Sequence, residues 1–105
     1  MGYKVEHNTM LRLSSSDEID IAILELNKVY EITRENARIY PVDIPILLLT
    51  EEWRVLGYVV IKELELSNKG SEIEFEVIKL FPTDVQEIYT IDLKDVLIKA
   101  GYLSS

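Results

Sequence analysis

The sequence predicts a mainly β protein, a small, partly closed antiparallel β-barrel with one C-terminal α-helix. Three observations indicate this class. Residues 72–77 alternate between glutamate and apolar side chains, which is the period of a strand with one buried face. Several other apolar runs are separated by short turn-forming stretches, and residues 92–101 carry the spacing of a single helix. Barrel closure removes exposed strand edges, so it is the economical arrangement for such strands.

Length and composition limit the class of protein. A chain of 105 residues, with 48% hydrophobic and 29% charged residues, predicts one globular domain over residues 1–105. We assign the barrel to residues 3–91 and the helix to residues 92–100. Cysteine is absent, which excludes disulfides and thiolate metal sites. The opening residues lack a signal-peptide pattern, and Pro45 interrupts the longest apolar run, so we expect a cytoplasmic protein.

The net charge argues against one class of partner. The chain carries 19 acidic and 11 basic residues, for a formal net charge of −8. Affinity for nucleic acid comes largely from Lys and Arg side chains that neutralise phosphates. We therefore expect nucleic acid to be a poor general partner, and we interpret the acidity as serving solubility.

The first third of the chain contains two predicted strands and one ambiguous segment. Residues 3–13 form a strand with an irregularity at residues 8–9, such as a bulge. Residues 19–26 have apolar positions at helical spacing, and Ser15–Glu18 would be the capping box of that helix. The isoleucines of the same segment alternate and are β-branched, which favours a strand, and we adopt the strand. Val29–Thr33 is predicted as the next strand.

The central part of the chain predicts the middle of the sheet. Ile46–Leu49 is a strand, and a turn connects it to Val55–Leu66, which begins with apolar residues on both faces. Residues 67–71 are a hairpin loop in which Gly70 is available for a positive φ. The strand at 72–77 therefore pairs antiparallel with the preceding one. The predicted core residues are Ile46, Leu48, Val59, Ile61, Leu64, Ile73, Phe75 and Val77.

The C-terminal part predicts the single helix. Phe81–Thr83 ends the hairpin strand, and Ile88–Ile91 is interpreted as a further short strand. The helix then runs over residues 92–100, with Asp92 as its N-terminal cap and Gly101 as its stop.

Several segments together resemble a known family. They are "NTM" at 8–10, "RIYPVDIPI" at 38–46, "LGYVVIKELEL" at 56–66 and "IEFEVIKLF" at 73–81. They resemble, in the same order, the YtmB-like family of small uncharacterised proteins of Bacillus and its relatives. The similarity covers roughly residues 5–82 and departs from the family between Leu13 and Val29 and from Asp84 onward. The resemblance implies a compact, mostly β domain and implies no activity.

A second resemblance concerns the order and spacing of the strands. "LELNKVYEI" at 24–32, followed by an Ile-Pro strand and "LGYVVI" at 56–61, is similar to barrels of the PUA and ASCH group. Those barrels bind RNA or modified nucleotides. The resemblance implies a fold analogy and, at most, a ligand at the barrel mouth.

The proline corner at Pro41 and Pro45 holds the first candidate site. Both prolines restrict the backbone on either side of Asp43. The favoured interpretation is that Asp43 accepts backbone N–H groups in an Asx-type turn. The functional alternative puts Asp43 at a barrel mouth beside Tyr40 and Arg38. The full candidate ligand set is Arg38, Tyr40, Asp43, Arg34 and Asn8, which would suit a small polar or anionic ligand.

A second candidate is the Trp53 turn. Trp53 is the single tryptophan and precedes Arg54, and such a pair is typical of contact anchors for a protein partner. Burial of Trp53 at one end of the barrel is the alternative. Arg54 would form an anion site only if it converged with Arg34 and Arg38. His7 is the single histidine, and no spacing indicates metal partners for it, so we expect a structural or simply exposed side chain.

These observations favour a non-enzymatic binding or protein-interaction module that contacts a protein partner or a second copy of itself. One alternative is a PUA-like barrel that binds a nucleotide, short RNA or small anionic ligand at its mouth. Another is an enzyme acting on a small polar substrate, although no catalytic motif or phosphate-binding loop is present. We predict no catalytic residue, no metal and no cofactor, and no membrane as a partner.

Overall fold

The computed structural model describes residues 6, 7 and 9–103, with side chains from residue 9 onward. Two 3-10 turns, Ser15–Asp17 and Ile21–Ile23, lie between the second and third strands. The regular elements are β1 (Glu6–His7), β2 (Met10–Leu13), β3 (Val29–Arg34), β4 (Arg38–Ile39), β5 (Pro45–Thr50), β6 (Val55–Ser67), β7 (Gly70–Leu80) and α1 (Thr83–Lys99).

Five of the strands form one curled half-barrel sheet. Its strand order is β2-β5-β6-β7-β3, so β2 and β3 are the edge strands. Three of its four pairings are antiparallel, and the pairing of β2 with β5 is parallel. The prediction of a mainly β, partly closed sheet with one C-terminal helix is confirmed, with one parallel pair at its edge. That pair arises because β3, β4 and the connecting segments separate β2 from β5 along the chain.

β6 and β7 form the predicted antiparallel hairpin, with register shifts between Tyr58 and Val59 and between Ile61 and Glu63. Ile73 lies opposite Leu64, and Phe75 lies opposite Ile61. The side chains of Ile73, Phe75 and Val77 are fully buried. Gly70 closes the hairpin with a φ of 144°, and a Cβ there would overlap the Arg34 carbonyl oxygen. The loop therefore requires glycine for both its conformation and its close contact with β3.

The core contains most of the predicted residues. Of the eight, all except Leu64 are buried, and Leu64 packs half-buried against the same cluster. The curl of the sheet brings further residues into this cluster from both edges. They are Leu11 and Leu13 on β2, Ile32 on β3, and Tyr40 after β4.

The N-terminal strand prediction needs correction. Residues 3–5 and residue 8 lie outside the described residues, and the rest of the segment forms two separate strands. β1 pairs with β4, and β2 pairs with β5, so the chain changes partners between His7 and Met10. The expected irregularity therefore falls where one sheet ends and the other begins.

The strand predicted at residues 19–26 is wrong, and so is the helical alternative. Residues 14–26, which we call the strap, contain only the two 3-10 turns. The Asp20 carboxylate accepts the Ala22 N–H at 3.0 Å, and Asn27 has a φ of 65°. The alternating isoleucines have no neighbouring strand to pair with, because this segment crosses the open side of the half-barrel.

The helix begins earlier than predicted. α1 starts at Thr83 rather than at Asp92, so the short strand predicted at Ile88–Ile91 is wrong. Pro82 precedes the first turn and Asp84 lies within it, and both features favour a helix start. Among the described residues, no strand lies beside Ile88–Ile91 to pair with it. Helical spacing instead directs Val85 and Leu93 toward a second cluster around Phe81. Within the described residues, no helix is long and apolar enough to cross a membrane.

Candidate functional site

Arg34, a predicted ligand residue, lies in a closed polar cluster at the end of β3. Its Nη2 donates to Asp17 Oδ2 at 3.0 Å, and its Nη1 donates to Asp17 Oδ1. The two side chains are 11% and 4% exposed. Nη2 also donates to the Arg12 carbonyl oxygen on β2 at 2.7 Å. Arg34 therefore joins the two edges of the half-barrel, and its charge is compensated by Asp17 rather than offered to an anion.

The other members of the predicted mouth cluster have different surroundings. Tyr40 is 3% exposed and belongs to the hydrophobic core, so it does not form the wall of an open mouth. Arg38 is half-buried on β4, and its backbone N–H donates to Ser71 Oγ at 2.8 Å. Asn8 lies outside the described residues, as does the side chain of His7.

Asp43 forms the proline corner through its backbone. It has a φ of 63°, and its N–H donates to the Ile61 carbonyl oxygen at 3.0 Å. Val42 forms an isolated parallel bridge with Ile61. The Asp43 carboxylate is 74% exposed, and its Oδ1 lies 4.0 Å from Lys62 Nζ. The side chain is thus solvated, and the positive φ, which Asp tolerates better than most residues, explains its presence.

Trp53 is half-buried between the sheet and the end of the chain. It has a φ of 69°, and the Arg12 guanidinium lies over its ring at 3.9 Å from the centroid. Its ring meets Tyr102 edge-on at 5.7 Å. Arg54 points to the helix, where its Nε donates to Gln86 Oε1 at 3.1 Å. Arg34 and Arg54 therefore bond to different elements.

A ladder of glutamates covers the outer face of β3, β6 and β7. Glu63 and Glu31 both lie opposite Glu74 on β7, and Glu65 lies opposite Glu72. A hydrogen bond to Glu65 and the charges of Glu65 and Glu31 raise the pKa of Glu72. The sequence alternation predicted solvated glutamates but could not show that they face each other.

The glutamate ladder has few cations nearby. Lys62 lies at one end of it, with Nζ 3.9 Å from Glu76 Oε1. Lys69, in the hairpin loop, lines an open surface groove of about 550 Å³ together with Glu65 and Glu72. Among the described residues, no group of three or more His, Cys, Asp or Glu side chains is placed to hold a metal ion.

The outer face of α1 is apolar and exposed. Only Thr90 is buried on this helix, where its Oγ1 accepts the Val55 N–H at 2.9 Å. Ile88 and Ile91 on this face are 60% and 61% exposed, and Val96, about 120° further round the helix, is 61% exposed. A helix with apolar residues on both sides is usually buried on both sides. Periodicity could have revealed this face, but the shorter predicted helix left out Ile88 and Ile91.

The fold defines a class of small proteins, a curled five-stranded half-barrel with a C-terminal helix. A solved structure to which most of this chain is similar is that of protein YtmB from Bacillus subtilis, a structural genomics target. The chain is similar to it with a TM-score of 0.63 and 20% sequence identity, over 79% of this chain and 98% of that one. The predicted resemblance is thus confirmed at the level of the fold. No family model matches the chain, and a comparison with curated proteins gives no match.

Proposed function

We propose that this protein is a non-enzymatic interaction module that self-associates through the outer face of α1. The observation that carries the proposal is the exposure of large apolar side chains along one side of the helix. Ile88, Ile91 and Ile98 are 60%, 61% and 36% exposed. Exposed apolar surface of this extent is typical of protein contact sites.

The spacing of these residues fits a partner helix. Within α1, Ile88, Ile91, Asp95 and Ile98 follow steps of three, four and three residues. That repeat is the a and d pattern by which two helices pack against each other. The opposite side of α1, which includes Thr90 and Leu93, already packs on the sheet. The outer side is therefore free to contact a second helix.

The charges on α1 favour a second copy in antiparallel orientation. Asp84 lies in the first turn and Lys99 in the last. An antiparallel pair places the first turn of one copy beside the last turn of the other, so opposite charges and opposed helix dipoles meet. A parallel pair would instead place like ends of the two helix dipoles side by side, which is unfavourable. These arguments support a two-fold symmetric dimer.

Light scattering coupled to size exclusion tests the proposal. We expect the mass to rise above the monomer value of 12.1 kDa as the protein concentration increases. The variant Ile91→Glu should stay monomeric, because it places a carboxylate on the outer face opposite Asp95 of the other copy.

The matched control is Val96→Glu. Val96 is as exposed as Ile91, at 61%, but lies about 120° away from the centre of the a and d seam, as expected for 3.6 residues per turn. The Val96→Glu variant should therefore associate as the wild type does. A monomer at every concentration, or equal loss of association in both variants, would contradict the proposal.

The nucleotide or small-anion alternative is less well supported by the charges. Asp17 compensates Arg34, and Tyr40 is in the core. The two grooves beside the end of β3 share Arg34 and Lys69, but acidic side chains outnumber these cations in the second groove and equal them in the first. The enzyme alternative gains no supporting arrangement among the described residues. A cytoplasmic location belongs to our proposal as an expectation from the sequence.

A further inference from the structure

The strap, residues 14–26, covers the open side of the half-barrel. Two of its side chains, Ile19 and Leu24, pack half-buried against the cluster that contains Leu13 and Ile32. Leu13 lies on one edge strand and Ile32 on the other. The strap therefore takes the place that a closing strand would occupy in a complete barrel.

Both ends of the strap are fastened by specific bonds. At the first end, Asp17 binds Arg34 through two hydrogen bonds and also accepts the Ser14 N–H at 2.8 Å. At the second end, the Glu25 N–H donates to the Tyr30 hydroxyl at 3.0 Å. Just beyond it, the Asn27 N–H donates to the Val77 carbonyl oxygen. The first fastening is the better shielded from water, because the side chains of Arg34 and Asp17 are 11% and 4% exposed.

Between these ends the strap is weakly held. None of its residues is fully buried. Ile21, Ile23 and Leu26 are exposed. Its remaining described hydrogen bonds are local, such as the bond from the Ile23 N–H to the Asp20 carbonyl oxygen at 3.2 Å. Segments with little buried apolar surface open at a lower free energy than the core of the same protein.

We propose that the strap is a hinged cover that opens as a unit while the half-barrel stays folded, and that the Arg34–Asp17 ion pair is its fastening. Opening releases Ile19 and Leu24 from the core cluster and uncovers Leu13 and Ile32. These two residues lie on the edge strands, Leu13 on β2 and Ile32 on β3. An exposed strand edge beside apolar residues is the kind of surface to which an extended peptide adds as a further strand. The strap would therefore control access to the open side.

Amide hydrogen exchange of the full-length protein, measured by mass spectrometry, tests this proposal. In the wild type, amides of residues 18–26 should exchange faster than those of β6 and β7. Low concentrations of denaturant should leave this difference in exchange rate unchanged. The variant Asp17→Asn should speed exchange in the strap at least about tenfold, because it leaves a mostly buried Arg34 without its counter-charge. Exchange in β6 and β7 should change far less.

Glu25→Gln is the matched control, because it removes one carboxylate from the strap and keeps both the Arg34–Asp17 ion pair and the backbone N–H of residue 25 that donates to the Tyr30 hydroxyl. Glu25 is exposed and pairs only loosely with Lys28, at 3.6 Å. The exchange rates of the strap in the Glu25→Gln variant should match those in the wild type.

The second variant, Arg34→Lys, keeps the charge but loses the pair of hydrogen bonds to Asp17. Its strap should exchange at a rate between those of the wild type and Asp17→Asn. Equal acceleration in the strap and in β7 would mean that the ion pair holds the whole fold, which overturns the proposal. Unchanged strap exchange in Asp17→Asn would also overturn it.

Discussion

Glu65 and Glu72 lie directly opposite each other on the outer face of the β6–β7 hairpin, so their two carboxyl groups are neighbours. This contact and the nearby charges of Glu65 and Glu31 raise the pKa of Glu72 above its usual value of 4.5. A bond between two carboxyl groups requires a proton on one of them. The folded protein therefore binds a proton at Glu72 more readily than the unfolded chain does.

The first prediction concerns pH. Because the pKa of Glu72 is higher in the folded state, its protonation favours folding, and this contribution is lost as the pH rises above 4.5. Glu72→Gln should keep a hydrogen-bonding side chain without the charge, so it should raise the melting temperature at neutral pH. It should also flatten the fall in melting temperature between weakly acidic and neutral pH.

Glu52→Gln is the control for this prediction, because Glu52 is an exposed glutamate in the turn before Trp53, away from the ladder. It removes the same charge and should leave the shape of the pH profile unchanged. High salt should reduce the benefit of Glu72→Gln, since the ladder is solvent-exposed. Identical pH profiles for Glu72→Gln and wild type would show that the opposed pair does not affect stability.

The second prediction concerns Phe75 in the core. Its side chain is fully buried, and its ring stacks on Tyr30 at 5.7 Å. Phe75→Ala should lower the free energy of unfolding by about 3–5 kcal/mol, because it removes apolar contacts and leaves a cavity. Urea denaturation measures this loss, and Phe75→Leu should lose much less. A Phe75→Ala variant as stable as the wild type would mean that the hairpin face is assigned incorrectly.

The third prediction concerns the contact between α1 and β6. Thr90 is buried, and its Oγ1 accepts the Val55 N–H at 2.9 Å. Thr90→Val keeps the shape but leaves that N–H without a partner, at a cost of about 1–3 kcal/mol. Thr90→Ser keeps the acceptor and loses one methyl group, so in urea denaturation it should be the milder variant. The reverse order of stability would argue that the methyl group, not the hydrogen bond, anchors the helix.

The fourth prediction separates backbone strain from steric overlap at two glycines. Gly70 and Gly101 both have a positive φ, of 144° and 78°. A Cβ at Gly70 would overlap the Arg34 carbonyl oxygen, whereas a Cβ at Gly101 meets no neighbour within 4 Å. Gly70→Ala should therefore lower the melting temperature clearly more than Gly101→Ala, which suffers only the cost of about 1–2 kcal/mol for a left-handed residue. Equal shifts would indicate that the Gly70 loop can move away from Arg34.

Local patterns in the sequence determined much of the sheet. The alternation of Ile73, Phe75 and Val77 with glutamates specifies a strand and its buried face, because successive side chains of a strand point to opposite sides. Gly70 and the polar loop around it specify the hairpin, and the hairpin sets the register from the Ser67–Gly70 pair to the Glu63–Glu74 pair, before the first of two register shifts in β6. These features depend on neighbours in the sequence, so they could be predicted without the rest of the molecule.

Tertiary structure alone decided the features that join distant parts of the chain. Asp17 and Arg34 are 17 residues apart, and nothing in either local pattern indicates that they meet across the open side of the half-barrel. The strap alternates like a strand but has no strand beside it, and residues 83–91 extend the helix because their packing partners lie on the sheet. The sequence predicted Tyr40 as a ligand-binding residue, but the curl of the sheet places its side chain in the core. Pairing and burial between separated segments depend on the path of the whole chain, which a local pattern does not contain.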